Sequence, residues 1–135
     1  MLLLLIIAAF VQAPAPQVVT IDRGDMSALE TPREAVARTE AEWIALWKLH
    51  APTRPAPAID FTKNMVAGVF LGTRPTSGFS VEIVGASVEG GTLVLKYVET
   101  RPRRDAITAQ ILTAPFHIVA LPAHAGPVRF EKSEK

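Results

Sequence analysis

From Met65 to Val88 the chain reads MVAGVFLGTRPTSGFSVEIVGASV, and no other stretch limits the fold as much. Met65 to Leu71 is apolar without alternation, a pattern that suits a strand covered on both faces. Gly72-Thr73-Arg74-Pro75-Thr76-Ser77-Gly78 then reads as a tight, stiff loop, and Phe79 opens a second strand. Such a loop between two strands is a good place to present a few side chains to a partner. Along the second strand Val81 and Ile83 alternate with Glu82, and then Val84, Ala86 and Val88 take over the apolar phase. A one-residue slip with Gly85 inside it predicts a bulge. Glu89-Gly90-Gly91-Thr92 predicts a hairpin turn. The return strand Thr92 to Glu99 is expected to place Leu93, Leu95 and Tyr97 on one face and Val94, Lys96 and Val98 on the other.

Around this unit the pattern predicts further strands at Gln17–Asp22, Glu34–Arg38, Ala106–Leu112, Phe116–Leu121 and Pro127–Glu131. In the third of these, Ile107, Ala109 and Ile111 are expected to point inward. Arg23-Gly24-Asp25 reads as a turn, and its likeness to an integrin-binding tripeptide carries little weight in three residues. Thr39-Glu40-Ala41-Glu42 is a capping box, in which the Thr39 hydroxyl and the Glu42 carboxylate each satisfy the other's backbone N–H. The helix it starts, Glu40 to His50, carries Trp43, Leu46, Trp47 and His50 on one face. His50, at the helix end, is expected to act as a cap. Ala51 to Ala58 holds three prolines and reads as a rigid crossing to the sheet. The tail Lys132 to Lys135 is expected to fray. The fold class is therefore α+β: a mainly antiparallel sheet of about six to eight strands, curled into a sandwich or half-barrel, with one amphipathic helix packed on it.

A length of 135 residues favours one domain, expected over residues 17–132 after a leader (1–13) and a stiff Ala-Pro spacer (14–16). The leader's apolar run Leu2–Val11 is too short to span a bilayer and fits a signal-peptide apolar region. Val11 and Ala13 allow a cut after Ala13. No Lys or Arg precedes the run and Pro14 would follow the cut, so a true start further upstream, a segment that stays as an anchor, or a buried N-terminal strand is left open beside cleavage. The expected location is extracytoplasmic, periplasmic or secreted, with contact to a membrane only through an uncleaved leader.

The net charge is +1 and there is no cysteine. Basic residues are scattered, which argues against a nucleic-acid partner, and thiolate chemistry, disulfides and thiolate zinc sites are excluded. Arg101, Arg103 and Arg104, beside Asp105, read as a solvated turn. His50, His117 and His124 show no metal-ligand spacing, and His117, alternating with Phe116 and Ile118, is expected to face solvent. No serine sits in a nucleophile elbow and no glycine-rich phosphate loop occurs. A hydrolytic or ligand pocket would require Asp60, Glu82 and His117 to converge. The chain is thus expected not to be an enzyme and to need no cofactor or metal. A protein partner is expected, at Arg74, Pro75, Thr76, Phe79 and Arg101, since arginine and aromatic side chains are common anchors at interfaces.

The order Leu46-Trp47-Lys48-Leu49-His50, Ile59-Asp60-Phe61, Met65-Val66, Phe70 to Phe79, Arg101-Pro102 and Thr113 to Val119 resembles the PrcB-like family, named for a subunit of a protease complex. The likeness runs from about Trp43 to Pro122. It implies an exported, non-catalytic domain, an accessory part of a secreted or envelope protease assembly. The chain departs in lacking a lipid-attachment cysteine. Pro75-Thr76-Ser77-Gly78-Phe79 is in addition similar to a loop of chagasin-like cysteine protease inhibitors. That resemblance implies inhibition of a papain-like protease, with Glu89-Gly90-Gly91 and Arg101-Pro102 as two further loops.

Overall fold

The structure, a computed structural model, describes residues 14–133. The expected leader lies outside the described residues, and the chain runs as coil from Pro14 to its first strand. The elements are β1 (Val19–Gly24), β2 (Arg33–Ala37), α1 (Glu40–His50), β3 (Asn64–Phe70), β4 (Ser80–Glu89), β5 (Thr92–Thr100), β6 (Phe116–Pro122) and β7 (Val128–Ser133). One sheet has the strand order β1-β6-β3-β2 and the other β4-β5-β7. Every pair is antiparallel except β5 with β7.

The apolar run of β3 is explained by three layers. Val66 and Phe70 face α1, together with Trp43, Leu46, Trp47, Phe116 and Ile118. Met65, Ala67 and Val69 face the second sheet, together with Val81, Ile83, Leu93, Leu95, Val119 and Leu121. A strand with an apolar core on each face has no polar phase to show. The helix starts as its sequence implies: Thr39 accepts from the Glu42 N–H at 3.2 Å. The returning bond differs, because Glu42 reaches past Thr39 to the Arg38 N–H at 3.3 Å. The proline-rich crossing is tied to the helix by its carbonyls: Trp43 Nε1 donates to Pro57 O at 2.9 Å and Trp47 Nε1 to Arg54 O at 2.8 Å. The two indoles thus bury their rings and still satisfy their N–H groups.

The register between β4 and β5 shifts between Ile83 and Gly85, where the bulge was expected. Gly90 and Gly91 take φ of 58° and 81° in the hairpin turn, as a two-residue loop of that hand requires. Three expectations are corrected. Arg23 and Gly24 do not turn but close β1, paired with His117 and Phe116. Ala106–Leu112 is not a strand, and Ile107 is fully exposed with Ile111 half-exposed; its backbone bonds through Ala109 go to Ser77 of the loop after β3 and not to a sheet edge. Lys132 is not frayed but lies in β7.

Strand directions give the body two poles. Val19, Asn64, the Glu89–Thr92 turn and the start of β7 lie at one, linked by Ala123 N–H to Lys63 O at 2.9 Å and by His124 Nε2 to Gly91 O at 3.0 Å. Gly24, Phe70, Ser80, Thr100 and Phe116 lie at the other, joined by the loops 71–79 and 101–115.

Candidate functional site

The second pole is organised around one carboxylate. Glu99 falls in the inward phase of β5, on the face of Leu93 and Leu95, and its side chain is 2% exposed. Three cations compensate it. Arg74, from the loop after β3, closes on Oε1 through Nη2, with Nε at 3.2 Å. Lys132 of β7 reaches Oε2 at 3.2 Å and Arg101 approaches the same oxygen at 3.4 Å. Burial pushes the Glu99 carboxyl upward, but the bonds and charges of Arg74 and Lys132 outweigh it and hold it below its ordinary value. Arg74 also donates to Leu71 O at 2.9 Å, and its guanidinium lies 5.9 Å from the Phe79 ring centroid.

The five residues expected at an interface therefore share one pole, in different postures. Arg74 is turned inward, its side chain 24% exposed, and braces the loop on its own sheet. Pro75 is exposed, Thr76 and Phe79 are half-buried, and Arg101 extends outward with its side chain 71% exposed. The neighbouring loop is fastened to this one. Arg74 and Thr113 exchange backbone bonds at 2.7 and 2.9 Å, Ser77 N–H donates to Ala109 O at 3.1 Å, and Ala109 N–H donates to Ser77 Oγ at 2.8 Å. A Cβ at Gly78 would stand 2.8 Å from Pro102, so the close approach of the two loops depends on glycine there. Glu99 and Lys132 escaped sequence reasoning; the signal was a carboxylate in the inward phase of an otherwise apolar strand face.

Three hollows surround this pole. One of about 310 Å³ lies between β2, the end of β3, Arg74, Tyr97 and Lys132. A second, of about 120 Å³, is lined by Met26, Ser27, Thr73 and Leu112. A third, of about 390 Å³, is open to Arg23, Asp25, Gly78 and Phe79. Met26 and Leu112 are exposed beside the second.

Two histidines are buried, against expectation. His117 does not face solvent, because the second sheet covers that side of β6. Its Nδ1 accepts the Ile83 N–H at the bulge (2.8 Å), which leaves Nε2 to donate to Thr20 Oγ1 (2.8 Å). Burial, and then the charge of Arg23, push its value down to about 4, with Glu82 opposing. With Arg23 Nε donating to Val81 O at 3.1 Å, this bond caps the outer edge of β4. His50 is not a cap but a buried link: Ser27 Oγ lies 2.8 Å from Nδ1 and Asp22 Oδ2 2.9 Å from Nε2. Burial pushes Asp22 up, but the bonds from His50 and Arg54 prevail and lower it.

The serine–imidazole–carboxylate sequence has the parts of a nucleophilic relay. Here, however, the imidazole is wedged against Trp47, Phe70 and Phe116, and the Ser27 oxygen already accepts the Leu29 N–H at 3.1 Å. It fastens the segment after β1 to the helix end. The convergence of Asp60, Glu82 and His117 is not formed. Asp60 is bound to Thr62 in the turn before β3, and Glu82 pairs with Arg23. Among the described residues no His, Asp or Glu cluster is arranged to hold a metal ion.

Residues 65–122, from β3 through β6, match the family described as PrcB C-terminal. The resemblance seen in the sequence is borne out over that span. No curated protein and no solved structure matches the chain. The PrcB C-terminal span contains Arg74, Pro75, Thr76, Phe79, Glu99, Arg101 and His117, whereas β1, β2, α1 and β7 lie outside it.

Proposed function

We propose that this chain is an exported, non-catalytic protein-binding module, an accessory subunit of a secreted or envelope protease complex, that meets its partner with the pole carrying Arg101 and the loop 72–79. The observation that carries this reading is that the two loops of that pole are bonded to each other and both lie within the matched span. Together they form one stiff surface. Stiff loops forgo little conformational entropy on association. The apolar leader supports export. Arg101, Pro75 and Phe79 supply the contact, and Arg74 holds the loop in place from beneath.

The chagasin-like alternative requires three loops at one edge. The Glu89–Gly91 turn is at the other pole, the length of β4 (about 33 Å for ten residues) from Gly78. Only two of the three loops can enter one cleft, and the accessory-subunit reading is preferred.

The test is capture from an envelope extract with the tagged chain and with a Pro75→Glu/Arg101→Glu variant whose fold is checked by circular dichroism. The protease subunit is expected with the first and at least tenfold depleted with the second. Equal recovery by both discards this surface.

A further inference from the structure

We propose that the tip of the loop between β5 and β6 is a processing site, the bond between Arg104 and Asp105, for an arginine-directed endopeptidase; this goes beyond the accessory-subunit reading and stands without it. Exposed loop tips are the preferred places for proteolytic nicking, and a connection as long as residues 101–115 is commonly a functional one in a compact domain. The base of this loop is fastened. Pro102 and Thr108 both lie against Gly78, and Ala109 is bonded to Ser77 through its carbonyl and its N–H. Between them the arch 103–107 is exposed throughout. The one backbone bond within it joins Ala106 N–H to Arg103 O at 2.9 Å. Arg104 O and Asp105 N–H, the two sides of the apical peptide bond, have no backbone partner among the described residues. Arg104 is exposed and forms no ion pair among them. Arg103 meets Asp105 at 3.6 Å with both side chains almost wholly in solvent, where such a pair holds little.

The other basic residues are shielded. Arg54, Arg74 and Arg101 also sit in connections, but each is followed by proline, whose ring and missing N–H obstruct hydrolysis of the bond before it. Arg38 has its guanidinium bonded to His124 O and Gly126 O and its N–H to Glu42. The Lys63 carbonyl accepts from Ala123 N–H. Arg23, Arg33, Lys96, Arg129 and Lys132 lie in strands and Lys48 in the helix. Arg104 alone joins an outward guanidinium to a peptide bond that is free on both sides and not followed by proline. The cut consumes one water: its oxygen joins the Arg104 carbonyl carbon as a carboxylate, and its two protons join the Asp105 nitrogen as an ammonium group. The pieces stay together. After the cut β6 still lies between β1 and β3, and β7 beside β5, so each sheet pairs strands from both sides of the nick.

The test digests the whole native chain with a low ratio of trypsin, whose specificity pocket carries a carboxylate, and reads the cuts by mass spectrometry. The first cut is expected after Arg104, at least tenfold faster than after any other described basic residue. The nicked chain should run as one species in gel filtration and separate into two in urea. Arg104→Gln should slow nicking of the arch at least tenfold, Arg104→Lys should restore it, and Arg103→Gln should leave it within twofold; all three changes fall at exposed positions. The envelope extract should produce the same nick, suppressed at least tenfold by an arginine aldehyde. A first cut after another basic residue, an arch nicked as fast in Arg104→Gln as in the parent, a fragment released without denaturant, or a chain left whole by the extract would overturn the inference.

Discussion

At the scale of single residues, Glu99 and His117 bear the greatest consequences. Glu99 is buried and answered by Arg74, Lys132 and Arg101. Glu99→Gln keeps the shape but removes the charge those cations need. It is expected to cost about 1–3 kcal/mol, measured by urea unfolding, and to speed amide exchange in residues 72–79. The carboxyl sits below its unfolded value, so its contribution is present above that value and is lost as pH falls through the folded one. His117 acts over a different range. Its folded value, about 4, is below the ordinary 6.5, so the unfolded chain takes up the proton first. Stability is complete above pH 6.5 and declines towards pH 4, by on the order of 2 kcal/mol after allowing for partial solvent screening. Unfolding measured at pH 7 and pH 4.5 should show the decline, and His117→Gln should flatten it. An unchanged pH slope in that variant would contradict the assignment.

At the scale of elements, the two loops of the second pole form one unit, and Gly78 is where they touch. Gly78→Ala meets Pro102 and must adopt a φ of 94°. It is expected to cost about 1–3 kcal/mol and to loosen both loops together, visible as faster exchange at Ser77 and Ala109. Trp47→Ala, which empties the helix–sheet interface, should cost about 3–5 kcal/mol by the same unfolding assay. What the sequence revealed of these elements was local. The slip at Gly85, the capping box at Thr39 and the glycines of the hairpin each need only their neighbours to be read. What it concealed was distant. His117 alternates as an outward residue would, and only the second sheet, 34 positions away at Ile83, covers it. Ser27, Asp22 and His50 meet across 23 and 28 positions. Ala106–Leu112 has a strand's pattern, but Ala109 is bonded to Ser77, 32 positions away, and not to a sheet edge.

At the scale of the whole molecule, the account rests on polarity along the strands. The chain enters β1 at one pole, and the loops 72–79 and 101–115, the buried Glu99 and the surrounding hollows lie at the other. A tether ahead of Val19 would therefore hold the loop pole outward. The matched span runs from β3 through β6 and so holds both loops of that pole as well as the Glu89–Thr92 turn at the other, while β7 contributes Lys132 from outside it. The fold class was legible because turn spacing and apolar phase are written along the chain. The candidate surface was legible only in its exposed members, Pro75 and Arg101, since the inward turn of Arg74 depends on a carboxylate 25 positions away. The most direct measurement is hydroxyl-radical footprinting of the chain in complex with the partner that the capture experiment recovers. Protection at Pro75, Phe79 and Arg101, with the Glu89–Thr92 turn unchanged, is the predicted result; protection at that turn, with the loop 72–79 as reactive as in the free chain, would contradict the account.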